Sequence, residues 1–209
     1  MEERAAVERL KQGDIGGLEV LVRKHHTRAG RAAYLILRDH ALAEDVAQSA
    51  FVRAYERIDQ FDAGRPFEPW FMKIVVNSAV EVARRRERTT SYERAGVEAP
   101  TAWLVDSAAG PHEQAEEAEQ RRRVWEALEK LPPAQRAAVV QRYYLGMSEV
   151  EMSEGGGAPP GTIKSRLYAA RRSLSKLLHA HVRAEDVPEP RERSVPTGVP
   201  PPRFKEKRP

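Results

Sequence analysis

With 209 residues, 41% of them hydrophobic and 32% charged, the chain has room for one domain or two small ones, and two compact helical units suit it better than one large core. It contains no cysteine, which excludes disulfides, thiolate zinc sites and a cysteine nucleophile. The formal net charge of +4 is unevenly spread. Residues 1–88 carry 16 Lys+Arg against 14 Asp+Glu, residues 89–118 carry 1 against 6, residues 119–180 carry 11 against 6, and residues 181–209 carry 7 against 5. Two basic units around an acidic connector fit two nucleic-acid contacts made at separated places. No run of about 18 apolar residues occurs, and the opening MEERAAVERLKQGD lacks the apolar centre of a signal peptide, so no membrane insertion is expected. The cytoplasm is the expected compartment.

In chain order, a first helix is expected from Glu2 to Gln12, ended by Gly13-Asp14. Leu18, Leu21, Val22, Ala29, Ala32, Ala33 and Ile36 mark a long second helix, with an interruption near Arg28–Gly30. A third spans Asp39 to Ile58, its apolar positions being Val46, Ala50, Val52 or Ala54, Tyr55 and Ile58. Asp62-Ala63-Gly64-Arg65-Pro66 breaks it, and Pro69 opens a fourth that runs to Arg86. Between residues 89 and 118 periodicity fades into a flexible acidic linker, where Trp103-Leu104-Val105 suggests one docked anchor. Helices resume at Glu116. Pro132-Pro133 opens the next, to about Leu145, and Ser148 caps a short one. An amphipathic helix over residues 162–178 puts Ile163, Leu167, Ala170, Leu174 and Leu177 on one side, with Lys164, Ser165, Tyr168, Arg171 and Arg172 on the others. Residues 181–209 are Pro- and Arg-rich, a composition that builds no core and is expected to be disordered.

The most informative stretch is Leu42–Arg86. Asp45, Gln48 and Phe51, about a turn apart, make a strip able to dock a partner helix. Further on, aromatics stand beside the Arg84-Arg85-Arg86 run, the combination that stacks on unpaired bases while holding phosphates. Phe71, in phase with Ile74 and Val75, is assigned to the core. The order EDVAQSAFVRAYERIDQFD, GRPFEPWFMKIVVN, RRR resembles region 2 of bacterial sigma factors. Downstream, LEKLPPAQRAAVVQRYYLGMSEVEMSE followed by GTIKSRLYAARRSLSKLL resembles region 4 of the same family. The group most resembled is the compact extracytoplasmic-function (ECF) branch of the sigma-70 family, and the two blocks cover roughly two thirds of the chain.

The resemblance implies an all-α protein of two helical domains, region 2 at 1–88 and region 4 at 119–180, joined by the linker 89–118 and followed by the tail. It implies binding to core RNA polymerase through Asp45, Gln48, Ser49 and Phe51, with Ser49 standing where the family usually carries Glu. Reading of the single-stranded −10 element falls to Phe61, Asp62, Arg65, Phe67, Trp70, Lys73, Asn77, Arg84, Arg85 and Arg86. Reading of the double-stranded −35 element falls to Gly161, Thr162, Lys164, Ser165, Arg166, Tyr168 and Arg171 on the second helix of a helix-turn-helix. An anti-sigma partner and a monomeric free state are also expected. Gly155-Gly156 and Pro159 depart from the family pattern, so the first helix of that motif is expected to end early, at Glu154.

No catalytic motif, metal site or cofactor fingerprint occurs, so no enzyme activity, metal or cofactor is expected. His25 and His26, adjacent on a helix, point about 100° apart, which argues against a shared metal. The competing reading is a sigma-like interaction protein that binds core polymerase or an anti-sigma factor without recognising promoters, and the three-glycine run and Ser49 favour it.

Overall fold

The computed structural model describes residues 2–89, 111–154 and 158–185, and among them there is no strand. No helix of the described residues is long and apolar enough to cross a membrane. Trp103-Leu104-Val105, the three-glycine run and residues 186–209 lie outside the described residues.

The first unit is built from α1 (Glu2–Lys11), α2 (Gly16–Leu37), α3 (His40–Glu56), a 3-10 turn (Ile58–Gln60) and α4 (Phe67–Thr89). Glu2 and Glu3 open α1, and Arg9 and Lys11 close it, each sign opposing the helix dipole at its end. Gly13 then takes φ +83, a left-handed turn that glycine adopts without strain. Gly17 lets α2 cross close to α1: a Cβ there would run into the backbone carbonyl oxygen of Ala6.

The interruption expected near Arg28–Gly30 does not occur, and α2 runs through. Ala29, Gly30, Ala32 and Ala33 are all buried, so the small residues form a close-packing face. A glycine in mid-helix costs about 1 kcal/mol, which packing of that face outweighs. The helix ends where Arg38 turns left-handed (φ 59) and donates its N–H to the Tyr34 carbonyl. Asp39 caps α3, its Oδ1 accepting from the Leu42 N–H at 3.0 Å.

The core of this unit is aromatic. Phe71 stacks on Phe51 (4.4 Å between centroids) and on Phe67 (5.6 Å), and Phe61 meets Phe67 edge-on at 5.7 Å. Burial of Phe67 draws the start of α4 two residues ahead of Pro69, which still sits in the first turn where its missing N–H does no harm. His25, buried against Phe67 and Phe71, bonds Glu3 of α1 through Nε2 at 3.0 Å. His26 points instead to Glu44, at 2.8 Å.

The second unit comprises α5 (Pro111–Glu129), α6 (Pro133–Val139), a π-helical turn (Val140–Tyr144), α7 (Glu149–Ser153) and α8 (Pro160–Glu185). α5 begins five residues before the expected Glu116, inside the segment read as linker, and α8 continues past 180 into the segment read as tail. The helix expected to reach Leu145 widens after Val139, and the Leu145 N–H closes the π turn on the Val140 carbonyl at 2.9 Å. Apolar burial here falls in two small clusters. One holds Ala138, Met147, Met152, Ile163 and Leu167; the other holds Leu128, Leu131, Val139 and Ala170.

The two units pack together. Trp125 of α5 lies against Tyr34 (5.7 Å) and beneath the Arg38 guanidinium (4.5 Å to the ring centroid), and Ala137 and Val140 extend the core of the first unit. Arg136, buried on α6, donates to the carbonyls of Leu128 (3.0 Å), Glu129 (2.8 Å) and Leu131 (2.9 Å) at the end of α5. It also donates to that of Ile36 (2.6 Å) near the end of α2.

Candidate functional site

Three surfaces gather the candidate residues. On α3, the buried stripe is Ala43, Val46, Ala47, Ala50, Phe51 and Ala54, which turns Asp45, Gln48 and Ser49 to solvent on the opposite face. Gln48 donates Nε2 to Glu44 Oε1 at 3.1 Å. Partial burial pushes the Glu44 carboxyl up, but the bonds from Gln48 and His26 outweigh it and hold its pKa below the ordinary carboxylate value. Phe51 does not join this face. Among small alanines it is the one side chain long enough to reach the aromatic core, and it is 4% exposed. Of the alternatives Val52 or Ala54 for the core, Ala54 is the buried one; Val52 and Tyr55, the latter expected in the core, are the apolar residues exposed beside Ser49. Their i+7 and i+10 spacing from Asp45 marks the same face.

The second surface lies where the 62–66 loop enters α4. Asp62 Oδ1 accepts from the Gly64 N–H at 2.9 Å, and the Arg65 N–H bonds the Asp62 carbonyl at 3.0 Å, so a tight turn presents Arg65 outward. Phe61 and Phe67, expected to take part in reading the −10 strand, are buried in this structure and form the floor beneath Trp70, at 4.9 and 5.6 Å. Trp70 is the partly exposed aromatic. It borders a cavity of about 430 Å³ lined also by Lys73 and Asn77 and, unforeseen from the sequence, by Arg53 near the end of α3 and by Arg57 and Gln60 just beyond it. Arg53 is held there by a 2.8 Å bond from Nη1 to Ser78 Oγ. The i, i+4 spacing of Arg53 and Arg57 was the available signal. Burial keeps the Lys73 ammonium below the usual lysine range, against the opposing pull of Glu154 and Glu151.

The three consecutive arginines do not form one strip, since successive helical residues turn by about 100°. Arg84 faces the groove between the units, Arg85 pairs with Glu81 at 2.5 Å, and Arg86 pairs with Asp39 at 3.1 Å.

The third surface is the helix-turn-helix. Gly146 turns at φ +71, and Ser148 builds a full capping box: its Oγ accepts from the Glu151 N–H at 3.2 Å, and its own N–H donates to Glu151 Oε2 at 2.7 Å. Those bonds from Ser148 hold the Glu151 carboxyl below its ordinary value. α7 stops at Ser153, with Glu154 extended, as the glycines after it led one to expect. On α8, Ile163, Leu167 and Ala170 face inward, while Gly161, Lys164, Ser165, Tyr168 and Arg171 are exposed. Thr162 is half-buried. Arg166, also half-buried, faces the inter-unit groove (about 780 Å³) with Arg84 and Arg88. Among the described residues no group of His, Cys, Asp and Glu could hold a metal ion.

Comparison with known proteins accounts for this arrangement. Residues 21–89 match the family model for sigma-70 region 2, and residues 121–174 match that for sigma-70 region 4. The chain is 30% identical over 178 residues to the ECF RNA polymerase sigma factor SigW of Bacillus subtilis (strain 168), covering 82% of this chain and 94% of that protein. It is 28% identical over 190 residues to the ECF RNA polymerase sigma-E factor of Escherichia coli (strain K12), covering 88% and 97%. Among solved structures, CnrH in complex with the cytosolic domain of CnrY matches with a TM-score of 0.60 and 26% identity, over 86% of this chain and 99% of that one. Two ordered family matches, and a relative aligned along nearly its whole length, establish that the chain belongs to the sigma-70 family as an ECF sigma factor.

Proposed function

We propose that this ECF sigma factor binds core RNA polymerase through the α3 face and directs it to promoters that it reads with two separate surfaces. Asp45, Gln48 and Ser49, with Val52 and Tyr55 beside them, make a polar and partly apolar face suited to docking a helix of polymerase. Trp70, Lys73, Asn77, Arg53 and Arg57 line a basic, aromatic-edged groove, which has the chemistry to hold an unpaired −10 strand, one stacking face and several phosphate partners, and Arg65 is proposed as a further phosphate partner. The open face of α8, from Gly161 to Arg171, has the chemistry of a recognition helix for the −35 duplex. The functional division is 1–88 for core binding and strand opening and 119–180 for the −35 contact. The free chain acts as a monomer, its compartment is that of the polymerase, and an anti-sigma factor is a further partner; the similar CnrH is in complex with the cytosolic domain of CnrY. No catalytic role is assigned.

The observation that carries this reading is the groove: tryptophan, lysine and arginines from two helices converge there around a single acid, Glu81. Run-off transcription with purified core polymerase and a genomic promoter library tests it. Asp45→Arg should abolish co-purification with core, because reversing a charge in a polar interface costs several kcal/mol. Trp70→Ala should leave core binding intact and weaken strand opening by about 1–3 kcal/mol, read as thymine reactivity to permanganate. Core binding with no transcript from any promoter would favour the interaction-protein reading.

A further inference from the structure

Helix α1 lies ahead of residue 21, where the match to sigma-70 region 2 begins. A lysine in the last turn of a helix ordinarily sits in solvent near the helix's own free carbonyls. Lys11 instead turns its Nζ onto the carbonyl of Phe61, at 2.5 Å. That carbonyl stands where the chain leaves its 3-10 turn and enters the 62–66 loop. Among the described residues no backbone N–H donates to it, so the lysine meets an acceptor that regular structure leaves open.

The lysine is carried by a braced helix. Val7 and Leu10 are buried, and Gly17 lets α2 pass close to the Ala6 carbonyl. Glu3 bonds His25 and Lys24 near the start of α1. Beyond its end, Arg9 holds Asp14 at 2.7 Å, whose other carboxylate oxygen accepts from the Gly16 N–H at 2.8 Å. On the loop side, the Phe61 ring is the floor under Trp70, at 4.9 Å, and Asp62 begins the turn that carries Arg65. One bond therefore fixes the floor of the groove and the root of its loop together. We propose that Lys11 is a positioning residue for −10 reading. It holds the Phe61–Arg65 segment where Trp70 can stack on an unpaired base and Arg65 can meet a phosphate, and it touches no nucleotide itself. The proposal rests on the groove reading above and extends it to a helix outside the region 2 match.

The test uses holoenzyme reconstituted from core polymerase and the full chain. Its templates are a promoter recovered from the run-off library and a copy with one −10 base pair exchanged. Lys11→Met keeps the stem and removes the donor. It should leave co-purification with core unchanged and lower thymine reactivity to permanganate about three- to tenfold, the scale of one hydrogen bond. It should also narrow the ratio between the two promoters, because a loop free to shift tells bases apart less well. Loss of folded protein alone would lower both signals and leave the ratio as it was. Lys11→Arg, which still offers N–H donors, should recover most of the opening. Glu3→Gln loosens α1 from α2 without touching Phe61 and should open both promoters as the parent does. Parental opening by Lys11→Met, an unchanged ratio, or an equal loss in Glu3→Gln overturns the proposal. Trp70→Ala separates this from a failure of the groove reading. If that variant opens the promoter as the parent does, the groove reading falls and the proposal with it; if it loses opening while Lys11→Met does not, only the role of Lys11 falls.

Discussion

The two units reach a defined fold by different means. The first has long helices and one deep core, in which Phe51, Phe61, Phe67 and Phe71 form a connected aromatic cluster. The second has helices of 7 and 5 residues between α5 and α8, and its apolar residues divide into small clusters. Helices so short cannot stand on their own hydrogen bonds. Polar groups aimed at backbone ends hold them instead: Ser148 and Glu151 at the start of α7, Arg142 Nη1 on the Met147 carbonyl at 3.0 Å, and Arg136 on four carbonyls. A unit held mainly by burial resists deformation, whereas one held by directed polar bonds and by docking on a neighbour can be released from it. That contrast suits the roles proposed above, a core-binding platform joined to a DNA-reading unit.

The largest expected effect tests the burial half of this comparison. Phe71 is fully buried, so Phe71→Ala should destabilise the chain by about 3–5 kcal/mol in urea unfolding. Met152→Ala should fall near the lower end of the range for such truncations, about 2 kcal/mol, because its cluster is small. Equal losses would mean that the two cores are not different in kind.

Arg136→Met comes next and tests the polar half. It preserves the side-chain stem but strips the donors from carbonyls at the ends of α5 and α2, at about 1–3 kcal/mol for groups left unsatisfied. Arg136→Lys should recover little, since an ammonium cannot reproduce the planar fork. A loss under about 0.5 kcal/mol in the same urea titration would show that water replaces the guanidinium without cost.

The smallest effect is Ser148→Ala, at about 1 kcal/mol for a lost cap. It carries a pH signature. The folded-state pKa of Glu151 is depressed, so its contribution is present above the ordinary carboxylate value and is lost as pH falls through the folded one. The largest cause is the Ser148 backbone N–H, which the substitution keeps, and the second is the hydroxyl, which it removes. Thermal melts of the variant between neutral and acid pH should therefore show a smaller loss than the parent. An unchanged acid loss would assign the shift to the backbone bond alone.

Much of this was legible in the chain. Apolar spacing located the helices, Gly13 and the Asp62–Pro66 run located the breaks, and Ser148 marked a helix cap, to which the structure adds Glu151 as the second half of a capping box. The two family-like blocks named the surfaces proposed to read promoter DNA, because motif residues are local in sequence and their types carry the chemistry. The tertiary structure decided what depends on direction and distance. One face of α3 packs on α2 and α4, which sent Phe51 inward and left Val52 and Tyr55 outside. Helical rotation split Arg84, Arg85 and Arg86 among three neighbours, and packing beneath Trp70 buried Phe61 and Phe67. The approach of Glu154 to Arg65 joins residues 89 positions apart. No periodicity encodes such a contact: it follows from two separately folded surfaces that happen to bury apolar area and pair charge when they meet.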